Sequence, residues 1–426
     1  MQVLAPISIL LILLFNNYKY KNKMPYYIFC ALVFAFVAFS FQPGVDDDLV
    51  REYAVLQGVH DQGWSYYSIL TSNIRGAFYS SKFQGLPVTQ LYYYIFAHLP
   101  IKNFLPAVTI FIDYFLQLKL LDKMQKRFSL SKSDLFLLFA FIICGRETYN
   151  MMSGIRNYLA FTIFGYVLYT DLVEKRNRLL CFAIYILTAL MHQSAWLLIA
   201  LRLLCLIPWR KARNIICVIS LLWGNFTAIA QVFFARYANI PFFNSLYVKV
   251  FNFTDESSSY ASLLTMTQRY FLYMLSNIGI VILVIWMYRA FIKSSSSGLL
   301  IGSAGIKSEN GIKISNGKLY LNRYLNIGEV VPEDYYDIVY YCFLSLCFMF
   351  GALPYRIIFS RIAIVIRVIA IVPMAILLNF YGKHEKYSKR HDLKLMILLA
   401  CVIKFALMMW FFNRSMRFNP LGWFSF

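Results

Sequence analysis

Acidic side chains are scarce: 20 Asp and Glu stand against 41 Lys and Arg in 426 residues, and only 14% of the chain is charged. A surface so poor in charge does not belong to a soluble domain. No Cys-x-x-Cys pair occurs among the eight cysteines, and no His, Cys and carboxylate cluster has zinc spacing. That excludes a zinc ribbon and a dithiol redox motif. The cysteines lie mostly inside apolar runs (Cys144, Cys181, Cys217, Cys401), where they read as small apolar fillers. No basic residue precedes the first apolar stretch, Val3–Phe15, and Lys19, Lys21 and Lys23 follow it. This is the pattern of an uncleaved first span rather than a cleaved signal peptide.

What is present is apolar. Hydrophobic residues make up 60% of the chain, and runs of membrane length recur from end to end. The fold class is all-α, a polytopic transmembrane helical protein of about twelve spans. Abundant Tyr and Phe suit interfacial belts and a cavity lining. The formal charge of +21 does not imply nucleic acid, because much of it falls in short loops. Those loops set the orientation through the positive-inside rule.

Taken in order, spans are expected at 3–17, 25–42, 104–121, 134–152, 154–172, 214–234, 269–291, 336–353, 356–379 and 394–412. Residues 179–207 carry basic charge at both ends, so two short crossings or a re-entrant dip are expected, broken at Met191-His192-Gln193-Ser194. Residues 43–103 form a first external segment, in which Leu86–Pro100, apolar over about 15 residues, reads as a span or an interfacial helix; the basic run after 104–121 is cytoplasmic only if it does not cross, so it is expected to be interfacial or re-entrant. A second external segment covers 235–268, and 293–334 reads as a flexible cytoplasmic loop within one membrane domain spanning 1–426.

On this topology Asp46, Asp48, Arg146, Glu147, Arg156, His192, Arg356 and Arg361 all fall on or near the external face. Arg156 opens one membrane-length segment and His192 closes the next, so an antiparallel pair puts both at one side. The segment 356–379 also carries Arg367, with no acidic residue of its own. Arg356 and Arg367 are eleven residues apart, nearly one helical face. Three arginines without a local carboxylate point to an anionic ligand, and phosphate or pyrophosphate fits the guanidinium fork. Each residue also has a plainer reading: Arg356 as a snorkelling end residue, Arg361 and Arg367 as inter-helix pairs, His192 as a satisfied helix end, Asp46–Asp48 as a solvated turn, Glu147 as a partner of Arg146 or Arg156.

The run Arg156-Asn-Tyr-Leu159-Ala160, a basic turn, and then Ala-Leu-Met-His192-Gln-Ser194 resembles the EpsG-like branch of Wzy-type polysaccharide polymerases. That family carries Arg-Gln-x-Leu-Ala at a helix start and Ala-x-x-x-His-x-Ser at a helix end; Asn157 departs from its Gln. Gly44, Asp46–Asp48 and Tyr53 resemble its early external motif, and Ser360-Arg361-Ile362 its C-terminal arginine region. The specific motifs cover about 40 residues.

The resemblance implies a GT-C-like glycosyltransferase of the bacterial inner membrane, acting in lipopolysaccharide or related polysaccharide biosynthesis. It would join undecaprenyl-pyrophosphate-linked oligosaccharide repeats, as donor and acceptor, at the periplasmic face. No cofactor or metal is required; a chain-length regulator and a flippase are natural partners. Arg156, Arg361 and Arg367 are assigned to pyrophosphate, with Arg146 and Arg356 as further contacts. His192, Asp46, Asp48 and Glu147 are the candidate bases or orienting groups, and the tyrosine-rich segment 64–94 would line the sugar path. An O-antigen ligase and a lipid-linked oligosaccharide flippase are the alternatives.

Overall fold

The computed structural model describes residues 23–44, 47–63, 65–66, 86–128, 130–145, 148–237, 239, 280–282, 284–286, 313–315, 318–320, 335–352, 356–383, 387–415 and 417–418. Of the expected spans, 3–17 lies outside these residues, as do most of 269–291, 235–268 and 293–334.

The described chain is mostly helical. Its helices are α1 (Met24–Phe39), α2 (Asp48–Gln62), α3 (Pro87–Ala97), α4 (Phe104–Phe128), α5 (Lys132–Gly145), α6 (Thr148–Ser153), α7 (Ile155–Tyr169), α8 (Arg178–Met191), α9 (Ala195–Leu204), α10 (Arg210–Leu222), α11 (Thr227–Arg236), α12 (Tyr336–Gly351), α13 (Arg356–Ile369), α14 (Ile371–Lys383) and α15 (Tyr387–Ser415). Among the described residues, strands are confined to two short antiparallel pairings, Phe41–Gln42 with Arg417–Phe418 and Lys313–Ser315 with Lys318–Tyr320, and two helical stretches, Phe104–Phe128 and Ile358–Gly382, are long and apolar enough to cross a membrane. The second is 94% buried within the chain, so it forms the centre of the helix assembly.

Helix breaks fall where the sequence denies a backbone hydrogen bond or adds polarity. Pro373 lacks an N–H and its ring clashes with the carbonyl four residues back, which divides α13 from α14 at Ala370. Residues 134–152, expected to be one span, divide after Gly145 into α5 and α6. Residues 214–234 divide at the 3₁₀ turn Trp223–Phe226. The 179–207 stretch breaks at His192–Ser194, as its charge pattern demands. Leu86–Pro100 contains only the eleven-residue α3, about 16 Å long and too short to span a bilayer.

The buried core is mainly apolar but takes in a set of polar groups: Thr89, Gln90, Thr109, Asp113, Gln117, Thr162, Asp171 and Arg202 are buried. Phe29, Leu32, Phe36, Leu187, Trp196, Ile215, Ile219, Leu395, Leu399 and Val402 face outward. Polar groups inside and apolar groups outside are what a lipid solvent selects.

Helix α7 is almost wholly buried and packs against α4, α8 and α13. Gly165 lies at the crossing with α13: a Cβ there would collide with Val368 Cγ1 and press on Ile369. Small residues at such crossings let backbones approach. Gly165→Ala is therefore expected to cost about 1–3 kcal/mol through overpacking. Thermal unfolding in detergent measures it, and an unchanged midpoint would show that α13 yields freely.

The helices join two ends of the assembly. At one, Lys123 of α4 meets Glu174 at 3.0 Å, Arg213 of α10 meets Asp337 of α12 at 2.8 Å, and Asp134 of α5 takes both Arg390 (2.5 Å) and Lys394 (3.0 Å) of α15. At the other lie the end of α1, the starts of α2, α7 and α13, and the break after α8.

Candidate functional site

Arg156 sits in the first turn of α7, where the positive end of the helix dipole disfavours a cation. A nearby anion offsets this. That anion is Glu52, with its Oε1 3.3 Å from Arg156 Nε. The Glu52 side chain is 2% exposed and that of Arg156 16%.

Helix α2 brings Glu52 there. Its buried stripe is Leu49, Glu52, Tyr53, Leu56 and Val59, a helical spacing of three and four with a carboxylate in an otherwise apolar series. The start of α2 is tied to the break before α7: Ser153 Oγ donates to Asp47 Oδ1 at 3.1 Å, and Gly44 N donates to Asp47 Oδ2 at 2.6 Å. Farther along, Tyr53 Oη donates to Asn103 Oδ1 at 3.2 Å, and Asn103 Nδ2 donates to the Phe39 carbonyl at 2.7 Å.

Helix α3 closes the site from another side, packing on α2 and α8. Thr89 Oγ1 donates to the carbonyl of Met191 at 2.5 Å, which fixes the end of α8 just before His192. Tyr93, fully buried on the same helix, stands beside Glu52 and Arg156. The Glu52 carboxyl is pushed up to about 7: burial raises it, and the charge of Arg156 pulls it only partly back.

His192 follows α8 in an extended conformation and is 6% exposed. Its backbone N donates to the Thr188 carbonyl at 2.8 Å, and its Nδ1 accepts the backbone N–H of Ser194 at 3.3 Å. The ring meets Phe161 of α7 edge to face, centroids 5.4 Å apart. Arg361 of α13 donates through Nη1 to Ser194 Oγ at 2.9 Å. The charges of Arg361 and Arg156 both bear on the imidazole.

Arg156, His192, Ser194 and Arg361 are thus brought together from α7, the α8–α9 break and α13. Arg367 is buried on α13 six residues beyond Arg361, about 9 Å along the axis. Asp48 is 53% exposed and pairs with Arg51 at 3.2 Å, so the carboxylate delivered to Arg156 is Glu52. Arg356 opens α13; its side chain lies outside the described residues, as do Asp46, Arg146 and Glu147 altogether. Of the tyrosine-rich segment 64–94, Tyr66, Tyr92, Tyr93 and Tyr94 are described; Tyr66 Oη donates to the Pro87 carbonyl at 3.2 Å and its ring leans on Tyr94.

Glu52 escapes a reading that takes the acidic run as a unit, because Asp46–Asp48 dominate it. The signal was the phase: Glu52 falls within the face marked by Leu49, Leu56 and Val59, and Asp48 at its edge. The site so built is a largely buried cluster of two guanidinium groups with one carboxylate, one phenol and one imidazole. Compared with family models, with curated proteins and with solved structures, the chain has no match.

Proposed function

We propose that this chain is a Wzy-type polysaccharide polymerase, an integral glycosyltransferase that joins undecaprenyl-pyrophosphate-linked oligosaccharide repeats. The observation that carries the reading is the meeting of Arg156, Arg361 and His192 at one end of the helix assembly. They lie 36 and 169 residues apart from their neighbours in sequence (192 − 156 and 361 − 192) and belong to the motifs that resemble that family.

The reading places about twelve spans in the inner membrane, with the site facing the periplasm. The end bearing Lys123, Arg213, Arg390 and Lys394 is then cytoplasmic by the positive-inside rule. Helices α2 and α3 lie at the external interface. At the site end Arg156 is held by Glu52, and Arg361 donates to the Ser194 hydroxyl. A transporter would need ligand groups along a path from both sides, so the one-sided site favours an enzyme.

The chemistry follows. The hydroxyl at the non-reducing end of one lipid-linked repeat attacks the anomeric carbon of the growing chain. The bond to pyrophosphate breaks, and the leaving group takes the electron pair. Arg156 and Arg361 stabilise that developing charge where little water competes. His192 orients one of the reacting groups, and Arg367 lies deeper along the lipid phosphate path. A metal is not needed for such a leaving group.

The test is a deletion strain whose surface polysaccharide is displayed on a gel. A single repeat on the lipid core with the ladder lost is the expected pattern. Loss of all repeat-bearing bands with lipid-linked polymer accumulating would make it a ligase. Lipid-linked single repeats trapped on the cytoplasmic side would make it a flippase.

A further inference from the structure

A proton must leave the acceptor hydroxyl as the new glycosidic bond forms, and among the described residues of the site His192 and Glu52 are able to take it. His192 is the obvious one, but its geometry argues against it. Its Nδ1 accepts the Ser194 backbone N–H, so the neutral ring carries its proton on Nε2 and presents a donor to the site. To act as a base it would have to give up that bond and become a cation beside Arg156 and Arg361. A neutral imidazole that donates through Nε2 suits orientation of a substrate oxygen instead.

Glu52 has the opposite character. It is an acceptor when ionised, it is buried, and its Oε1 lies 3.3 Å from Arg156 Nε, with Tyr93 of α3 beside the same carboxyl. Burial favours its protonated form even with that cation and that phenol at hand, so it can gain and lose a proton where a merely structural partner would stay charged.

We propose that Glu52 takes the proton from the attacking hydroxyl, and that Arg156 couples this transfer to departure of the pyrophosphate. This rests on the polymerase reading of the site. The step balances: the O–H proton passes to the Glu52 carboxylate, the hydroxyl oxygen bonds to the anomeric carbon, and the C–O bond to pyrophosphate breaks with its electron pair. As Glu52 becomes neutral, Arg156 loses its carboxylate partner, and its whole charge turns to the leaving group at the moment that group becomes more negative. The proton then leaves Glu52 for water.

Among the described residues, the groups facing Glu52 are Arg156 from α7, Tyr92 and Tyr93 from α3, and Tyr53 and Asp48 from its own helix. Its carboxyl is raised to about 7 by burial, against the pull of Arg156. A base must be deprotonated to act. The rate is therefore expected to hold above neutrality and to fall about tenfold per unit below a midpoint near 7.

The experiment uses deletion-strain cells carrying the full chain, with endogenous lipid-linked repeats labelled in vivo and chased in media from about pH 5.5 to about 8.5. Glu52→Gln keeps an oxygen to accept from Arg156 but cannot take a proton; it is expected to slow polymer formation by at least about 100-fold at a normal membrane level. Glu52→Asp is expected to retain part of the rate and its acid limb. Wild-type rate in Glu52→Gln would overturn the proposal, since a purely positioning carboxylate predicts that result. So would a flat wild-type profile. If Glu52→Gln fails to accumulate, the acid limbs of the wild type and Glu52→Asp decide. A deletion that leaves the ladder intact overturns the polymerase reading itself, before any Glu52 variant is scored.

Discussion

Arg156→Ala abolishes polymer while the protein remains in the membrane in normal amount: that is the expected outcome, on the proposed reaction, of removing the guanidinium that pairs with Glu52 and is assigned to the leaving group. The loss of activity follows from where the charge sits. A preorganised donor aimed at developing charge is worth about 10²–10³ in rate. Arg156 supplies that and also holds the Glu52 carboxylate at 3.3 Å, so both ends of the proposed reaction lose a partner.

The survival of the fold needs its own argument. Removing one member of a buried ion pair ordinarily costs about 3–5 kcal/mol, because the other is left charged in a low dielectric. Glu52 escapes that penalty. Its carboxyl already titrates at about 7 with the arginine present, so without it the group is simply protonated at neutral pH. Arg156→Lys keeps a charge but not the planar fork, and should fall between the two. A polymer ladder beside a membrane immunoblot measures both quantities. An undiminished ladder in Arg156→Ala would remove this residue from the site.

The legible part of the fold was what depends on local pattern. The break at His192–Ser194 followed from basic charge at both ends of a stretch too short for two full helices. That α3 is short followed from the length of the apolar run Leu86–Pro100, and its expected place at the interface from the basic charge after 104–121. The pairing of Arg156 with His192 at one end followed from the antiparallel run of two adjacent helices, which a basic turn at 174–178 enforces; Lys175 and Asn177 adopt left-handed backbone there. The ends of α5 and α10 were not legible, because Gly145 and Trp223-Gly-Asn-Phe226 stand in otherwise apolar runs and a glycine alone does not oblige a helix to stop. Glu52 was hidden for another reason. Its role depends on which face of α2 turns inward, and that is decided by the tie between Asp47 and Ser153, 106 residues apart.

A second arginine makes the contrast with Arg156 sharp. Arg202 of α9 is 3% exposed and grips Asp171, fully buried at the end of α7, by two bonds: Nε to Oδ2 at 2.6 Å and Nη2 to Oδ1 at 3.1 Å. Tyr185 of α8 donates to the same carboxylate at 3.1 Å, and the guanidinium lies over the Phe182 ring. This cluster stands fifteen residues along α7 from Arg156, about 22 Å away, and clamps α7, α8 and α9 at the opposite end. Here a bidentate pair has both oxygens committed, and no oxygen is left over for chemistry. Arg202→Met should therefore destabilise by about 3–5 kcal/mol, by stranding the Asp171 carboxylate with a single phenol for company. The double variant Asp171→Leu with Arg202→Met removes both charges and should recover most of that loss. Thermal unfolding in detergent across the four proteins of the cycle measures the coupling. The folded fraction of Arg202→Met should still make polymer at the wild-type rate per molecule, which Arg156→Ala cannot do. A single variant as stable as wild type would mean that water reaches the pair, and a folded but inactive Arg202→Met would move the working site towards this end of the helices.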